Sequence, residues 1–179
     1  MTPGRDVSVD LADGFPPVAL ANAHILILGS LPGVRSIQAM QYYAHPRNAF
    51  WQIMADLVGA AGDYRARCSC LMQHGIAVWD VLASSVRPGS LDSDIDMTTA
   101  RVNDFPGFFA NHPGIERVCF NGQKAEKIFR SRVMLDDACD NYRLTTLPST
   151  SPAHASMSYE QKLKLWRDGL GMRSVELPV

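Results

Sequence analysis

The chain has 179 residues, enough for one well-filled core and too few for two ordinary domains, so 1–179 is read as a single domain. Hydrophobic residues make up 46% and charged residues 20%, a globular balance that excludes a disordered or fibrous chain. The net charge of −1 excludes a global positive field that would draw the chain to nucleic acid, so such a partner must be held by a local patch.

Residues 1–20 carry acidic groups and prolines where a signal peptide would have a basic start and an apolar core, and they read as an extended N-terminal segment. No run approaches the roughly 20 apolar residues that span a bilayer, which predicts a cytoplasmic protein with no membrane partner. The first β-rich run, His24 to Leu28, leads into Gly29-Ser30-Leu31-Pro32-Gly33. Its glycines let the backbone turn sharply and approach a ligand, and its amides can contact a phosphate or a base. The Gly-Lys-Ser/Thr ending of a P-loop is missing, and a plain strand-to-loop turn is an equal reading.

Tyr42 and Tyr43 come next, ahead of Pro46, which suits a first helical turn. An aromatic face is a platform for an unstacked base. A single tyrosine more often packs in the core with its hydroxyl satisfied, but two adjacent ones do not easily both do so. From Asn48 to Val58, Phe50, Trp51, Met54, Leu57 and Val58 form a helical stripe. The carboxamide of Asn48 can orient a water or a base yet cannot titrate, and it also suits a helix cap.

The second run, Gly75 to Trp79, delivers Asp80, which can accept a hydrogen bond from a base's ring N–H or serve as a cap or ion-pair partner. Residues 84–99 read as one long loop, of a length that is often functional. Pro113-Gly114 marks a turn before the third run, Arg117 to Phe120, and Ala125, Ile128 and Phe129 predict a helix over 123–130. The fourth run, Leu144 to Leu147, opens into a turn carrying Ser149, Thr150, Ser151 and His154. No Gly-x-Ser-x-Gly elbow surrounds a serine, so this proline-bracketed hydroxyl cluster suits phosphate contacts better than a hydrolase triad. Ser158 and Gln161 form a capping box for a last helix, 158–170.

Cys68-Ser69-Cys70 is too tight for the usual chelate spacing, and with Cys119 and Cys139 these read as reduced structural thiols, with neither metal nor cofactor expected. Arg35, Arg47, Arg65, Arg67 and Arg87, with Lys124, Lys127, Arg130, Arg132 and Arg143, could furnish a basic face if the fold gathers them. Strands alternating with helices predict an α/β fold, a three-layer αβα with a central four-stranded, mainly parallel sheet. Ligands of such sheets bind beyond the carboxyl ends of the strands, where the glycine turn, Asp80, Asn121-Gly122 and Pro148 to Ser151 converge.

Several strings now fall into one register. Tyr43-Ala44-His45-Pro46-Arg47-Asn48-Ala49-Phe50-Trp51, the Gly29–Gly33 turn, Asn121-Gly122-Gln123-Lys124-Ala125 and Leu147-Pro148-Ser149-Thr150-Ser151 together resemble the uracil-DNA glycosylase superfamily over roughly residues 22 to 170. Leu31 stands where mismatch-specific members carry a catalytic Asn or Asp. With Gln41-Tyr42-Tyr43 and Gly89-Ser90-Leu91-Asp92-Ser93, this is similar to the hypoxanthine-DNA glycosylase branch. The resemblance implies a monofunctional glycosylase acting on double-stranded DNA that contains a deaminated base, hypoxanthine first. It implies that Asn48 positions water, Tyr43 stacks on the flipped base and Asp80 stands near the residue that reads the base edge. The side chain that fills the vacated stack falls near Ala153, which is small, leaving His154 or another neighbour to substitute. A monomer is expected. The alternatives are excision of uracil from G/U mismatches, a non-catalytic module that binds damaged DNA, and a small-molecule hydrolase using Ser151 and His154.

Overall fold

The four apolar runs form one parallel sheet in the computed structural model, which describes residues 11–133 and 141–172. In chain order the elements are β1 (Leu11–Asp13), β2 (Ile25–Gly29), α1 (Val34–Ala39), α2 (Phe50–Val58), α3 (Tyr64–Gln73), β3 (Ile76–Asp80) and β4 (Leu82–Val86). A 3-10 turn (Asp92–Asp94) follows, then β5 (Arg101–Val102), α4 (Phe105–Asn111), β6 (Arg117–Asn121), α5 (Gln123–Arg132), β7 (Arg143–Leu147) and α6 (Tyr159–Leu170). The parallel strands lie in the order β3-β2-β6-β7.

Every residue of β2 and β3 is buried, so both faces of the sheet must be covered. On one face α2 packs against α3 and α6, with Phe50 and Trp166 meeting at ring centres 5.9 Å apart. The crossovers from β2 to β3 and from β6 to β7 run in opposite directions along the sheet, so their common right-handedness puts α5 on the other face. There Phe129 of α5 meets Phe105 of α4 at 5.1 Å. The architecture is the expected αβα. Strand order reverses between β2 and β6, which places the ligand crevice of such a sheet beyond Gly29, Asp80 and Asn121.

A second sheet, antiparallel β1-β4-β5, was not foreseen. Its middle strand takes the front of the stretch expected to be a loop from residue 84. Ser84 and Ser85 break the apolar pattern there, yet both are buried, and Ser85 Oγ donates to the Asp96 carbonyl at 2.8 Å. Of the N-terminal segment, residues 1–10 lie outside the described residues, while Leu11–Asp13 pair with β4 and Val18 bridges Val78 on the edge of β3. β7 is an edge strand with Arg143 and Thr146 exposed, so it is not covered on both faces as the other three are.

The helix read from Asn48 begins at Phe50, and Pro46 sits in the preceding turn, where Asn48 N donates to the His45 carbonyl at 2.8 Å. Two helices without a sequence stripe are set by their caps instead. The Asp63 side chain accepts from Ala66 N at 2.8 Å, and Asp104 from Gly107 N at 3.0 Å. The Ser158–Gln161 capping box is present at α6. Cys68, Cys70 and Cys119 are free thiols, and Cys139 lies outside the described residues. No helix among the described residues is long and apolar enough to cross a membrane.

Candidate active site

The strand ends open into a cavity of ≈ 610 Å³, within the roughly 300–1,000 Å³ of ligand pockets. Gly29 through Gly33, Tyr43, Asn48, Asp80, Ser149, Thr150, Ser151 and His154 all line it. Two walls face each other, the glycine turn after β2 and the 148–154 turn after β7.

In the glycine turn every carbonyl is directed into the protein. Gly29 O accepts from Val81 N at 2.9 Å, Ser30 O from Leu82 N at 3.0 Å and Gly33 O from Ile37 N at 3.0 Å. Arg87 Nη1 takes Leu31 O at 2.7 Å and Pro32 O at 3.3 Å. No acceptor among the described residues meets the N–H groups of Ser30, Leu31 and Gly33. The turn is therefore a set of donors, as its glycines suggested.

Asp80 ends β3 beneath this turn, 4% exposed. Its Oδ2 is buried without a hydrogen-bond partner among the described residues, and so is the hydroxyl of Tyr43. Both side chains converge over Gly29, where an added Cβ would lie 2.4 Å from Asp80 Oδ1 and 3.1 Å from Tyr43 Oη. Burial, with a smaller push from Asp92, raises the Asp80 carboxyl to about 7 against the opposing pull of Arg87. Burial likewise pushes the Tyr43 hydroxyl up, with Asp80 adding to it and Asn121 opposing. Buried polar atoms without partners are rare, and two of them at the floor of one cleft mark a place built to receive a polar ligand.

The tyrosine pair divides its labour. Tyr42 is the core residue, its hydroxyl donating to the carbonyls of Phe15 and Pro16 at 3.2 and 3.1 Å. Tyr43 turns into the cleft through a left-handed backbone, φ 54°. One face of its ring stacks on Phe50 at 4.0 Å. Asn48 sits between the walls because the next residue, Ala49, donates its N–H to Thr150 O at 3.0 Å. Its Oδ1 accepts from Phe50 N at 3.0 Å, a turn just ahead of α2, whose N-cap is Ala49 rather than Asn48. That bond uses one lone pair and leaves the rest of the carboxamide for the cleft.

The second wall is internally satisfied. Asn121, at the end of β6, donates through Nδ2 to Thr150 Oγ1 at 2.8 Å and accepts from Thr150 N at 2.9 Å. The Thr150 hydroxyl is thus committed to a brace and lies 1% exposed, beneath the surface that Ser149 and Ser151 present. Lys162 Nζ donates to His154 O at 2.7 Å, and Trp166 Nε1 to Pro148 O at 2.9 Å. Gly122, at φ 96°, lets the β6 turn lie against Ser149, whose Cβ would be 3.1 Å from a side chain there. No bond among the described residues joins Ser151 Oγ to the His154 ring.

The basic residues are only partly gathered. Arg35 and Arg47 are exposed on the cleft lining, Arg67 lies over the Trp51 ring at 4.9 Å, and Arg87 is buried inside the first wall. Sequence reasoning placed Asn121 at this edge without a role and gave Arg87 and Asp92 no role in the site. The available signal was Asp92, a counter-ion five residues beyond Arg87. No cluster of three or more potential metal-ligating side chains occurs among the described residues.

Comparison with known proteins agrees with this geometry. The profile of the Uracil DNA glycosylase superfamily matches residues 16–169. A hypoxanthine DNA glycosylase of Methanosarcina acetivorans is 36% identical over 151 residues, covering 81% of this chain and 89% of that protein. One of Methanosarcina barkeri is 32% identical over 166 residues, covering 91% and 90%. A solution NMR structure from M. acetivorans, provisionally named a uracil DNA glycosylase, superposes with a TM-score of 0.70 at 34% identity, covering 87% of this chain and 94% of that one.

Proposed function

The chain belongs to the uracil DNA glycosylase superfamily, and from that premise we propose that it excises deaminated bases from double-stranded DNA, hypoxanthine in preference. The observation that carries this reading is the pair of unpartnered buried oxygens, on Asp80 and Tyr43, under a turn whose N–H groups lack acceptors among the described residues. It acts as a monomer in the cytoplasm, without metal or cofactor.

The glycosidic bond is out of reach inside a duplex, so the nucleotide is extruded at a cost of a few kcal/mol, less at a mismatch. The face of Tyr43 turned away from Phe50 stacks on the base, an interaction worth roughly 1–3 kcal/mol. Ionised Asp80 accepts from N1–H of hypoxanthine, whereas adenine presents an acceptor at N1 and meets lone pairs with lone pairs. Uracil, the alternative substrate, offers its own N–H between two carbonyls to the same carboxylate.

As the bond lengthens, the sugar gains oxocarbenium character and the base gathers negative charge, which the N–H groups of Ser30, Leu31 and Gly33 stabilise. Asn48 holds the water that traps the sugar. Departure of the base dominates such a transition state, so a carboxamide with no basicity suffices. Ser149, Ser151 and His154, with Arg35 and Arg47 beside them, contact the DNA backbone. The absence of lysine from the described lining supports hydrolysis without a Schiff base.

The test is a panel of single-lesion duplexes treated with protein and then alkali. Hypoxanthine is released fastest, and Asn48→Ala slows that release by on the order of 10²-fold, as expected when a reacting water is no longer positioned. Undiminished release by Asn48→Ala refutes the assignment of Asn48. Binding of lesion duplexes without any alkali-labile product favours the non-catalytic module.

A further inference from the structure

Arg87 is a buried charge in the cleft wall. Its side chain is 3% exposed, and its guanidinium joins two segments far apart in sequence. Nη1 holds the carbonyls of Leu31 and Pro32 in the glycine turn, while Nη2 bonds the Ser90 carbonyl and lies 3.6 Å from Asp92 Oδ1. Asp92 in turn accepts from Ser30 Oγ at 2.6 Å, closing a ring of contacts around the turn. Nε is buried and has no partner among the described residues.

We propose that Arg87 is a positioning residue for base excision, and that with Asp92 it does two separable things: it holds the glycine turn with its N–H groups toward the cleft, and it sets the charge on Asp80 when a base enters. The inference rests on the excision reading. The first role follows from where the carbonyls go. An amide plane has its C=O and N–H on opposite sides, so drawing Leu31 O and Pro32 O into the wall turns the following N–H of Gly33 away from it. The rigid fork of arginine can grip two carbonyls of one turn and a third on the neighbouring loop, which a lysine cannot do.

The second role follows from the surroundings of Asp80. Asp80 lies against Gly29, Asp92 is bonded to the next residue through Ser30 Oγ, and Arg87 holds the two residues after that, so all three charged side chains line one cavity around a single turn. There Arg87 favours the carboxylate and Asp92 opposes it. Tyr42 and Tyr43, from the segment ahead of α2, are the other titratable neighbours, and burial keeps both of them neutral, with Asp80 adding to it. The two charges on the loop after β4 therefore act on Asp80 in opposite senses.

The experiment follows the Asp80 carboxyl by carbon NMR in the full-length protein, alongside the pH dependence of single-turnover hypoxanthine release. Arg87→Met moves the titration midpoint up and Asp92→Asn moves it down, each by about half a unit or more, and the acid limb of excision moves with them. Arg87→Lys keeps the charge but not the fork. It leaves the midpoint near that of the wild type and lowers the excision rate about tenfold or more. Asp92 is 45% exposed, so Asp92→Asn folds even where Arg87→Met does not. A midpoint that stays put or rises in Asp92→Asn overturns the charge-setting role, and full activity in Arg87→Lys overturns the positioning role. If the wild type releases no base from any lesion, the excision reading fails and the positioning role fails with it. The titration still decides the charge-setting role.

Discussion

The two walls of the cleft differ in what they leave unsatisfied. The wall after β7 is closed on itself: Asn121 and Thr150 exchange two hydrogen bonds, Lys162 and Trp166 take up the outer carbonyls, and Ser149, Ser151 and the exposed His154 line the cleft. The wall after β2 is braced just as firmly through Arg87, yet it stands over two buried oxygens without partners among the described residues, on Asp80 and Tyr43, and carries a row of unengaged N–H groups. The difference teaches which wall reads and which wall holds. Unmet polar capacity belongs where a base edge is to be matched, and a saturated surface suits the sequence-blind backbone of DNA.

The largest effect should come from filling the reading wall. Gly29→Ala brings a methyl group to 2.4 Å from Asp80 Oδ1, so the carboxyl or the Tyr43 ring has to leave its place. Hypoxanthine release should fall by on the order of 10²-fold in a single-turnover assay while circular dichroism still reports a folded protein. Next comes Asp80→Asn, which removes a charge-assisted hydrogen bond of roughly 1.5–3 kcal/mol and should slow hypoxanthine release about 10- to 100-fold.

The same carboxyl sets a stability signature. Its folded value of about 7 lies above the 3.8 of an ordinary aspartate, so between the two the folded chain keeps a proton that the unfolded chain has lost. Its contribution to stability is therefore complete below pH 4 and declines as pH rises toward 7, by about 1.4 kcal/mol for each unit of the shift. Asp80→Asn should flatten that decline in urea titrations across the window, and an unchanged slope would place the proton elsewhere.

Opening the holding wall should cost stability more than chemistry. Asn121→Ala strands the Thr150 amide and hydroxyl, a loss of about 2 kcal/mol that should lower Tm by roughly 4–8 °C in calorimetry. Smallest of all is Ser151→Ala at the surface of that wall. DNA affinity should weaken only about two- to fivefold, with the salt dependence of binding unchanged, because a neutral hydroxyl displaces no counterion. Were Ser151→Ala to abolish release while leaving affinity intact, the contrast between the walls would be wrong.

Much of this arrangement is readable in the chain because the sheet is buried. Continuous runs such as Ile25–Leu28 and Ile76–Trp79 have few other fates, and each leads directly into the residue that reaches the cleft, Gly29 and Asp80. What escaped reading has a physical cause in each case. α3 mixes Arg65, Arg67, Cys68 and Ser69 with no apolar stripe, and α4 opens Phe-Pro-Gly, which looks like a turn until Asp104 caps it. β4 hides behind Ser84 and Ser85, and the Ser85 hydroxyl is satisfied only in three dimensions, by the Asp96 carbonyl. Arg87 looks like any surface base, since its burial depends on carbonyls more than 50 residues away. For the same reason the sequence could single out Thr150 but could not tell an outward hydroxyl from a brace.

The left-handed backbone at Tyr43 carries one last implication. A side chain on such a residue costs about 1–2 kcal/mol, and here that strain is offset within the protein by the ring's seat on Phe50. The shelf is thus held by the protein's own packing. On the proposed excision, capture would wait on the helix of DNA to release its lesion rather than on this ring to rearrange, and loosely paired lesions would gain their advantage at the step of arrival.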